Sequence, residues 1–108
     1  MSPVVKVITP FGIFDGVKGH ELRQEINDIA TTEFDIVLID LQDVKFIDSS
    51  GLGALVSVAK SVRNAGRKLY VCSINDQVKM LFELTKMDRI FEKFADQEEF
   101  KRQVLATL

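Results

Sequence analysis

The chain has 108 residues, of which 46% are hydrophobic and 28% are charged, and its formal net charge is -2. This length and composition are typical of one soluble globular domain, so we expect a single domain over residues 1–108. Fourteen basic residues against sixteen acidic ones, with no basic cluster, argue against nucleic acid as a direct partner.

The first third of the chain predicts two strands around a helix. The β-branched residues of VVKVIT at 4–9, bracketed by Pro3 and Pro10, predict a short strand. Residues 35–41, DIVLIDL, form a nearly continuous apolar run, which is typical of a central strand covered on both faces. Between them an amphipathic helix is predicted from Val17 to about Thr31, with an apolar face made of Val17, Leu22, Ile26, Ile29 and Ala30.

A second helix is predicted from Ser49 or Ser50 to Ala65. Gly66 follows it, where a left-handed C-terminal stop is expected. The helical spacing gives this segment an apolar face of Leu52, Leu55, Val56, Ala59 and Val62.

The last third predicts two further strands and two further helices. Residues 68–73 form a strand pattern, and residues 90–94 a short edge strand. Asp96 and Glu99 resemble a capping box ahead of a terminal helix. The helix predicted over residues 76–86 places four residues on one face, namely Val78, Leu81, Phe82 and Thr85.

Strands that alternate with helices predict an α/β fold. We expect a small, mostly parallel sheet of about four strands packed with about four helices. In such folds the functional surface lies beyond the carboxyl ends of the strands. The stretch Asp48-Ser49-Ser50-Gly51 follows a predicted strand by a short loop, which makes it the leading candidate site.

Two interpretations of this stretch are open. Asp and Ser are preferred helix N-caps, because their side-chain oxygens accept the free amide hydrogens of the first turn. Gly51 and Gly53 do not fit a purely structural role, since a glycine inside a helix costs about 1 kcal/mol relative to alanine. Without side chains they leave backbone open to close approach by a partner or a neighbouring element.

The sequence gives little support for catalysis, and we expect no catalytic residue, cofactor or metal. The only histidine, His20, lies near the start of the first helix, where exposure on the surface is the simpler interpretation. Histidine and cysteine are too scarce for a metal site, and no glycine-rich phosphate-binding motif is present.

Cys72, the single cysteine, stands in the apolar stretch LYVCSI and has no second cysteine to pair with. This pattern indicates a small buried residue rather than a reactive thiol, and it favours a cytoplasmic protein. Because no apolar run approaches the eighteen or so residues of a membrane span, and no secretion signal is evident, we expect no membrane insertion.

FDIVLIDLQ also resembles the strand of a response-regulator receiver that ends in a phosphorylated aspartate, here Asp40. That function needs an acidic pair after the first strand to hold magnesium. Only Asp15 lies near that strand, so Asp40 is better interpreted as a strand-end residue that faces solvent or caps the following turn.

Over nearly its whole length the chain resembles the bacterial anti-sigma factor antagonists, which are single STAS domains. The resemblance is carried by FGIFD at 11–15, IVLIDLQDVKFIDSSGLGALV at 36–56, AGRKLYVCSIN at 65–75 and VKMLFELTKMDRIFEKFAD at 78–96. It implies the STAS fold. It departs from many members at the start, where those members have an additional strand before the one matching residues 4–9.

The resemblance also implies a function. In that family an anti-sigma factor with serine kinase activity phosphorylates the serine after the aspartate, and a serine phosphatase reverses the reaction. By position the phosphorylated residue would be Ser49, and the unmodified form would bind the anti-sigma factor and free a sigma factor. The partner-binding residues would be Asp15, Asp48, Ser49, Ser50, Gly51, Leu52 and Gly53. STAS domains also belong to anion transporters and lipid-transport complexes, which is the alternative function.

Overall fold

A computed structural model of the protein describes residues 3–29 and 34–107. Within these ranges six strands are found: β1 (Val5–Ile8), β2 (Phe11–Phe14), β3 (Ile36–Asp40), β4 (Asp43–Ile47), β5 (Lys68–Cys72) and β6 (Lys93–Phe94). The helices are α1 (Gly16–Ile29), α2 (Ser49–Asn64), α3 (Asp76–Leu84) and α4 (Gln97–Phe100), the last continued by a π-helical turn over Lys101–Leu105. A 3-10 turn occupies Met87–Arg89.

The strands form a four-stranded sheet with the order β1-β3-β5-β6 and a separate two-stranded sheet of β2 and β4. Every pairing is parallel. β3 lies between β1 and β5 and is buried along its whole length, as its continuous apolar run predicted. The predicted α/β class is therefore confirmed. The predicted edge strand is also found at an edge, although it is limited to Lys93–Phe94 instead of residues 90–94.

The two-stranded sheet was not predicted. β2 follows β1 after a bend at Thr9–Pro10, and β4 follows β3 after a bend at Leu41–Gln42. The parallel pair β1–β3 is therefore followed by the parallel pair β2–β4. Both strands are short, and β2 contains Gly12 in the left-handed region, with φ of 75° and a shift of register beside it. Such an irregular strand lacks the regular alternation by which strands are recognised in a sequence.

Two apolar clusters form the core on the two faces of the main sheet. The larger one packs helices α1, α2 and α3 against the sheet. The smaller one is covered by the terminal helix, where the rings of Tyr70, Phe94 and Phe100 lie 5.4–5.8 Å apart between centroids. Helices α1 and α2 approach closely because Gly19 faces Ala54, and a Cβ at Gly19 would overlap the methyl group of Ala54.

The prediction for the apolar face of α1 was wrong at Val17, which is 68% exposed. Gly19, Leu22 and Ile26 face the core instead. Val17 precedes Leu22 by five residues, which places it about 140° away around the helix axis. The predicted end near Thr31, together with Ala30, lies outside the described residues.

The other predicted helices are confirmed with small differences. α2 ends at Asn64 and is followed by Gly66, which has a φ of 79°. Its buried face also contains Val58, and the predicted Val56 is partly buried against the same core. α3 is shorter than predicted, so Thr85 lies just beyond it and is exposed. At α4 the Asp96 carboxylate accepts a bond from the Glu99 amide at 2.8 Å, which confirms the predicted cap.

Asp40 does not face solvent, which corrects one of the two interpretations given above. Its side chain is 3% exposed, and it does cap the following turn by accepting a bond from the Gln42 amide at 3.0 Å. The second carboxylate oxygen accepts a bond from the Gln97 side chain at 2.7 Å. Because Gln97 begins α4, this bond to the buried carboxylate fastens the terminal helix to the end of the central strand.

We predict that Asp40→Ala lowers the free energy of unfolding by about 2 kcal/mol, because it leaves two amide donors without their buried acceptor. Urea denaturation followed by circular dichroism measures the change. The matched control is Asp43→Ala at the exposed start of β4, which we expect to stay within about 0.5 kcal/mol of the parent chain. Equal losses for the two variants would show that the Asp40–Gln97 bond does not secure α4.

Candidate functional site

Two strand-to-helix junctions lie side by side at the carboxyl ends of β2 and β4. Phe14 and Ile47, the last residues of these strands, are register partners. Each is followed by an aspartate whose side chain caps the next helix: Asp15 accepts from the Lys18 amide at 3.0 Å and Asp48 from the Gly51 amide at 2.8 Å. Parallel strands bring together two segments that are more than thirty residues apart in sequence.

Asp48 alone acts as the N-cap of α2. Its backbone is extended, its side chain caps the first turn, and its own amide donates to the Phe14 carbonyl at 3.3 Å. Ser49 and Ser50 are therefore the first two residues of the helix, and both are exposed. Neither serine hydroxyl takes part in a hydrogen bond with any residue that the structure describes. Both are available for interactions with another molecule.

The two serines differ in their surroundings. Ser50 lies against the start of α1, where a Cβ added to Gly16 would be 3.5 Å from the Ser50 Cβ. Ser49 instead lines a shallow groove of about 260 Å³ between α2 and the end of α3. The groove is bounded by Ser49, Leu52, Gly53, Val56, Thr85 and Met87.

The lining of this groove is mostly apolar. Thr85 contributes little polarity, because its hydroxyl donates back to the Leu81 carbonyl at 2.7 Å. The Ser49 hydroxyl is consequently the one side-chain hydroxyl in the described lining that is not engaged within the protein. An apolar side chain of a partner that entered the groove would lie next to this hydroxyl.

Gly51 and Gly53 have different roles. Gly51 is buried, and a Cβ there would overlap the Phe14 carbonyl, whose carbon atom lies 2.7 Å away. The absence of a side chain at Gly51 thus serves packing against β2. A Cβ at Gly53 would meet no described atom within 4 Å, so no contact in the described part of the chain explains this glycine.

Of the seven predicted partner-binding residues, five reach the surface: Asp15, Asp48, Ser49, Ser50 and Gly53. Gly51 and Leu52 are buried, and of these two Leu52 lines the groove. The structure brings Asp15 to the neighbouring junction through the β2–β4 pairing.

The sequence did not indicate Thr85 and Met87 as part of this region. They are more than thirty residues from Ser49, and only the packing of α3 beside α2 and β4 places them there. Gln77 was missed too: its side chain exchanges two bonds of 2.9 Å with the backbone of Ile47. It holds the strand end immediately before Asp48, and no local sequence pattern marks such a distant contact.

The other candidate residues lie apart from this region. His20 is exposed on α1, as predicted. Cys72 is fully buried, and burial raises the pKa of its thiol to about 11, which keeps it protonated at neutral pH.

Across residues 3–29 and 34–107 no group of three or more His, Cys, Asp or Glu side chains could hold a metal ion. None of the helices described in those ranges is long and apolar enough to cross a membrane.

Comparison with known protein families gives a match to the STAS domain over residues 2–100. Among curated relatives, the anti-sigma-B factor antagonist of Listeria monocytogenes is 30% identical over 81 residues. These residues are 75% of this chain and 71% of that protein.

The same fold occurs in solved structures of a transporter family protein and of a cell fate determinant. A sulfate transporter family protein from Wolinella succinogenes superposes with a TM-score of 0.81 at 15% identity, over 100% of this chain and 93% of that chain. The phosphorylated form of the Bacillus cell fate determinant SpoIIAA superposes with a TM-score of 0.69 at 16% identity, over 94% of this chain and 93% of that chain.

The two glycines provide a matched test of the packing at this site. We predict that Gly51→Ala lowers the free energy of unfolding by at least about 2 kcal/mol, because the new methyl group overpacks against a backbone carbonyl that cannot easily move. Gly53→Ala, two residues further along the same helix, should raise stability by up to about 1 kcal/mol through helix propensity. Thermal and urea unfolding measure both changes. An unchanged free energy of unfolding in Gly51→Ala would contradict the close approach of Gly51 to Phe14.

Proposed function

Because the chain belongs to the STAS domain family, we propose that it is an anti-sigma factor antagonist, a protein-binding switch rather than an enzyme. In its unphosphorylated form it binds an anti-sigma factor with serine kinase activity and thereby frees a sigma factor. Phosphorylation of Ser49 by that kinase ends the binding, and a serine phosphatase restores it. The name of the Listeria relative supports this role, as does the existence of a phosphorylated form of the Bacillus protein.

One observation carries the assignment of Ser49. Asp48 supplies the helix cap, so the serine hydroxyl is exposed and not needed for the fold. An acceptor for phosphate must meet both conditions, because the kinase has to reach it and the modified chain has to remain folded. Ser50 is also exposed, but it lies against the start of α1, whereas Ser49 opens onto the groove.

The charges around Ser49 explain how phosphate would act. A phosphoserine carries about -1.5 to -2 charges at neutral pH. At a helix N-terminus that charge is favoured by the macrodipole and the free amide groups, so the fold should persist. The surface changes more than the fold does, because the phosphate adds its negative charge near the carboxylates of Asp48 and Asp15 at the two neighbouring junctions. A partner fitted to the neutral serine then meets excess negative charge and added bulk.

The proposed partner surface combines the exposed residues of both junctions with the apolar groove. Ser49, Ser50 and Gly53 supply small groups that permit close contact. Leu52, Val56 and Met87 supply apolar lining for an inserted side chain. Small exposed groups around an apolar depression allow a partner to exclude water from the contact, and such desolvated centres dominate binding energy.

A second candidate function is that of a STAS subunit in a membrane transport complex for lipids or anions. This second function is supported by the structural likeness to the Wolinella sulfate transporter family protein, which extends over the whole chain. Identification of the proteins that co-purify with the Ser49→Ala chain distinguishes the two: an ATPase kinase supports the switch, and transporter subunits support the alternative. A receiver function is disfavoured, because Asp40 is buried and both of its carboxylate oxygens accept hydrogen bonds.

We predict that an anti-sigma factor kinase of the same organism, supplied with ATP, places one phosphate on Ser49. Phosphopeptide mapping by mass spectrometry locates it, and the product should be stable in acid. Ser50→Ala is the matched control and should still be phosphorylated, whereas Ser49→Ala should not. Phosphate on Ser50, or a hydroxylamine-sensitive label on Asp40, would contradict the assignment.

We further predict that charge or bulk at the site weakens binding to the anti-sigma factor without unfolding the chain. Ser49→Asp should raise the dissociation constant at least tenfold, which is about 1.4 kcal/mol, with part of the loss recovered at higher salt. Gly53→Arg should weaken binding by a similar factor through bulk, because the groove edge is open there. Ser49→Ala should bind constitutively.

Calorimetric titration with nucleotide present measures these affinities, and thermal melts establish that each variant is folded. Lys60→Asp, at an exposed position further along the same helix, is the control and should leave the dissociation constant nearly unchanged. Equal affinities for the parent chain, Ser49→Asp and Gly53→Arg would place the partner surface elsewhere.

A further inference from the structure

The outer edge of β1 is the second surface of interest. β1 is the first strand of the four-stranded sheet, and within residues 3–29 and 34–107 it pairs with β3 alone. The Ile36 amide donates to the Val4 carbonyl, so Val4 directs its backbone groups towards β3. Because successive residues of a strand alternate in direction, Val5 and Val7 direct their N–H and C=O groups outwards. Among the described residues these outward groups have no hydrogen-bond partner.

A groove of about 280 Å³ runs between this edge and helix α1. One wall is the chain from Val7 to Phe11, and the other is formed by α1 residues Lys18, Glu21, Leu22 and Glu25. Phe11 is 64% exposed, so the strand wall offers an apolar side chain close to the free backbone groups of β1.

The helix wall carries a net negative charge. Lys18 is already engaged, because its ammonium lies 4.1 Å from the centre of the Phe11 ring and 3.8 Å from the Glu21 carboxylate. Glu21 and Glu25 are both exposed and four residues apart, an arrangement of like charges that destabilises a helix slightly. A cation placed between them would relieve this repulsion.

We propose that this groove binds an extended, basic segment of a partner protein, which adds to the sheet as a strand beside β1. The free backbone groups of Val5 and Val7 supply the main-chain bonds of such strand addition, and alternate side chains of the segment then face the α1 wall. A lysine or arginine at those positions would meet Glu21 and Glu25.

The structure also limits the length of the added strand. Pro10 lacks an amide hydrogen and marks the bend into β2, so pairing cannot continue regularly beyond β1, which has four residues. The segment is therefore short, with about two of its side chains facing α1. This groove shares no residue with the groove at Ser49, so the proposal does not depend on the switch function.

The test uses a blocked peptide of sequence TVRVRVT titrated into the full chain and followed by ¹⁵N–¹H NMR at low salt. We expect shifts at the amides of Val5 and Val7 and along the exposed face of α1. The glutamate counterpart TVEVEVT should bind at least about tenfold more weakly. Equal binding of the two peptides, or shifts confined to other regions, would overturn the proposal.

Two variants examine the two parts of the proposal. Val7→Pro removes an outward amide hydrogen while leaving the bonds to β3 in place, and Glu21→Gln with Glu25→Gln removes the charge without altering the backbone. Each should reduce peptide affinity at least about tenfold with the fold retained by NMR. Unchanged affinity in the folded glutamine variant would overturn the basic partner. Concentration-dependent shifts of β1 without peptide would instead assign the edge to a second copy of this chain.

Discussion

The site depends on how the first turn of α2 rests on the end of β2. The Phe14 carbonyl accepts the Asp48 amide hydrogen, and Gly51 leaves room for the same carbonyl against the helix. A side chain at Gly51 would push the helix away from the strand, so both contacts require glycine there. With its backbone fixed in this way, Asp48 caps the turn, and Ser49 is held on the outer surface with its hydroxyl unengaged.

This arrangement suits a switch that changes its surface and not its fold. The residues that stabilise the turn, Asp48 and Gly51, are different from the residue proposed to be modified. Because the Ser49 side chain makes no hydrogen bond with the described residues, a phosphate on its hydroxyl neither breaks an internal contact nor enters the core. In the proposed switch, the phosphate would act only on a partner in contact with the groove, where added charge is poorly screened once water has been excluded.

Helix α1 connects the two proposed partner surfaces, which are the site at Ser49 and the groove along β1. Its start lies beside Ser50 through Gly16, and its middle forms the acidic wall of the groove along β1. The close contact of Gly19 with Ala54 fixes α1 against α2 and leaves little freedom to slide. A partner that held both surfaces would therefore meet them in a constant geometry, and contacts made by one molecule at two fixed sites reinforce each other.

The sequence by itself determined the α/β class, the buried central strand, the limits of α2 and the position of Ser49 at a strand-to-helix junction. These features follow from local causes: apolar periodicity, an aspartate cap and a glycine stop, all read within about fifteen residues. It did not reveal β2 and β4, the burial of Asp40 or the exposure of Val17, and the division of roles between Asp48 and the serines remained open. Only the tertiary structure showed that Thr85 and Met87 line the groove at Ser49, and that Gly51 is packed while Gly53 is open. Phe14, Thr85 and Met87 reach the site through strand pairing and helix packing, over long distances in sequence. Local patterns do not encode such contacts, since a residue's spacing along the chain carries no information about a neighbour brought in by another element.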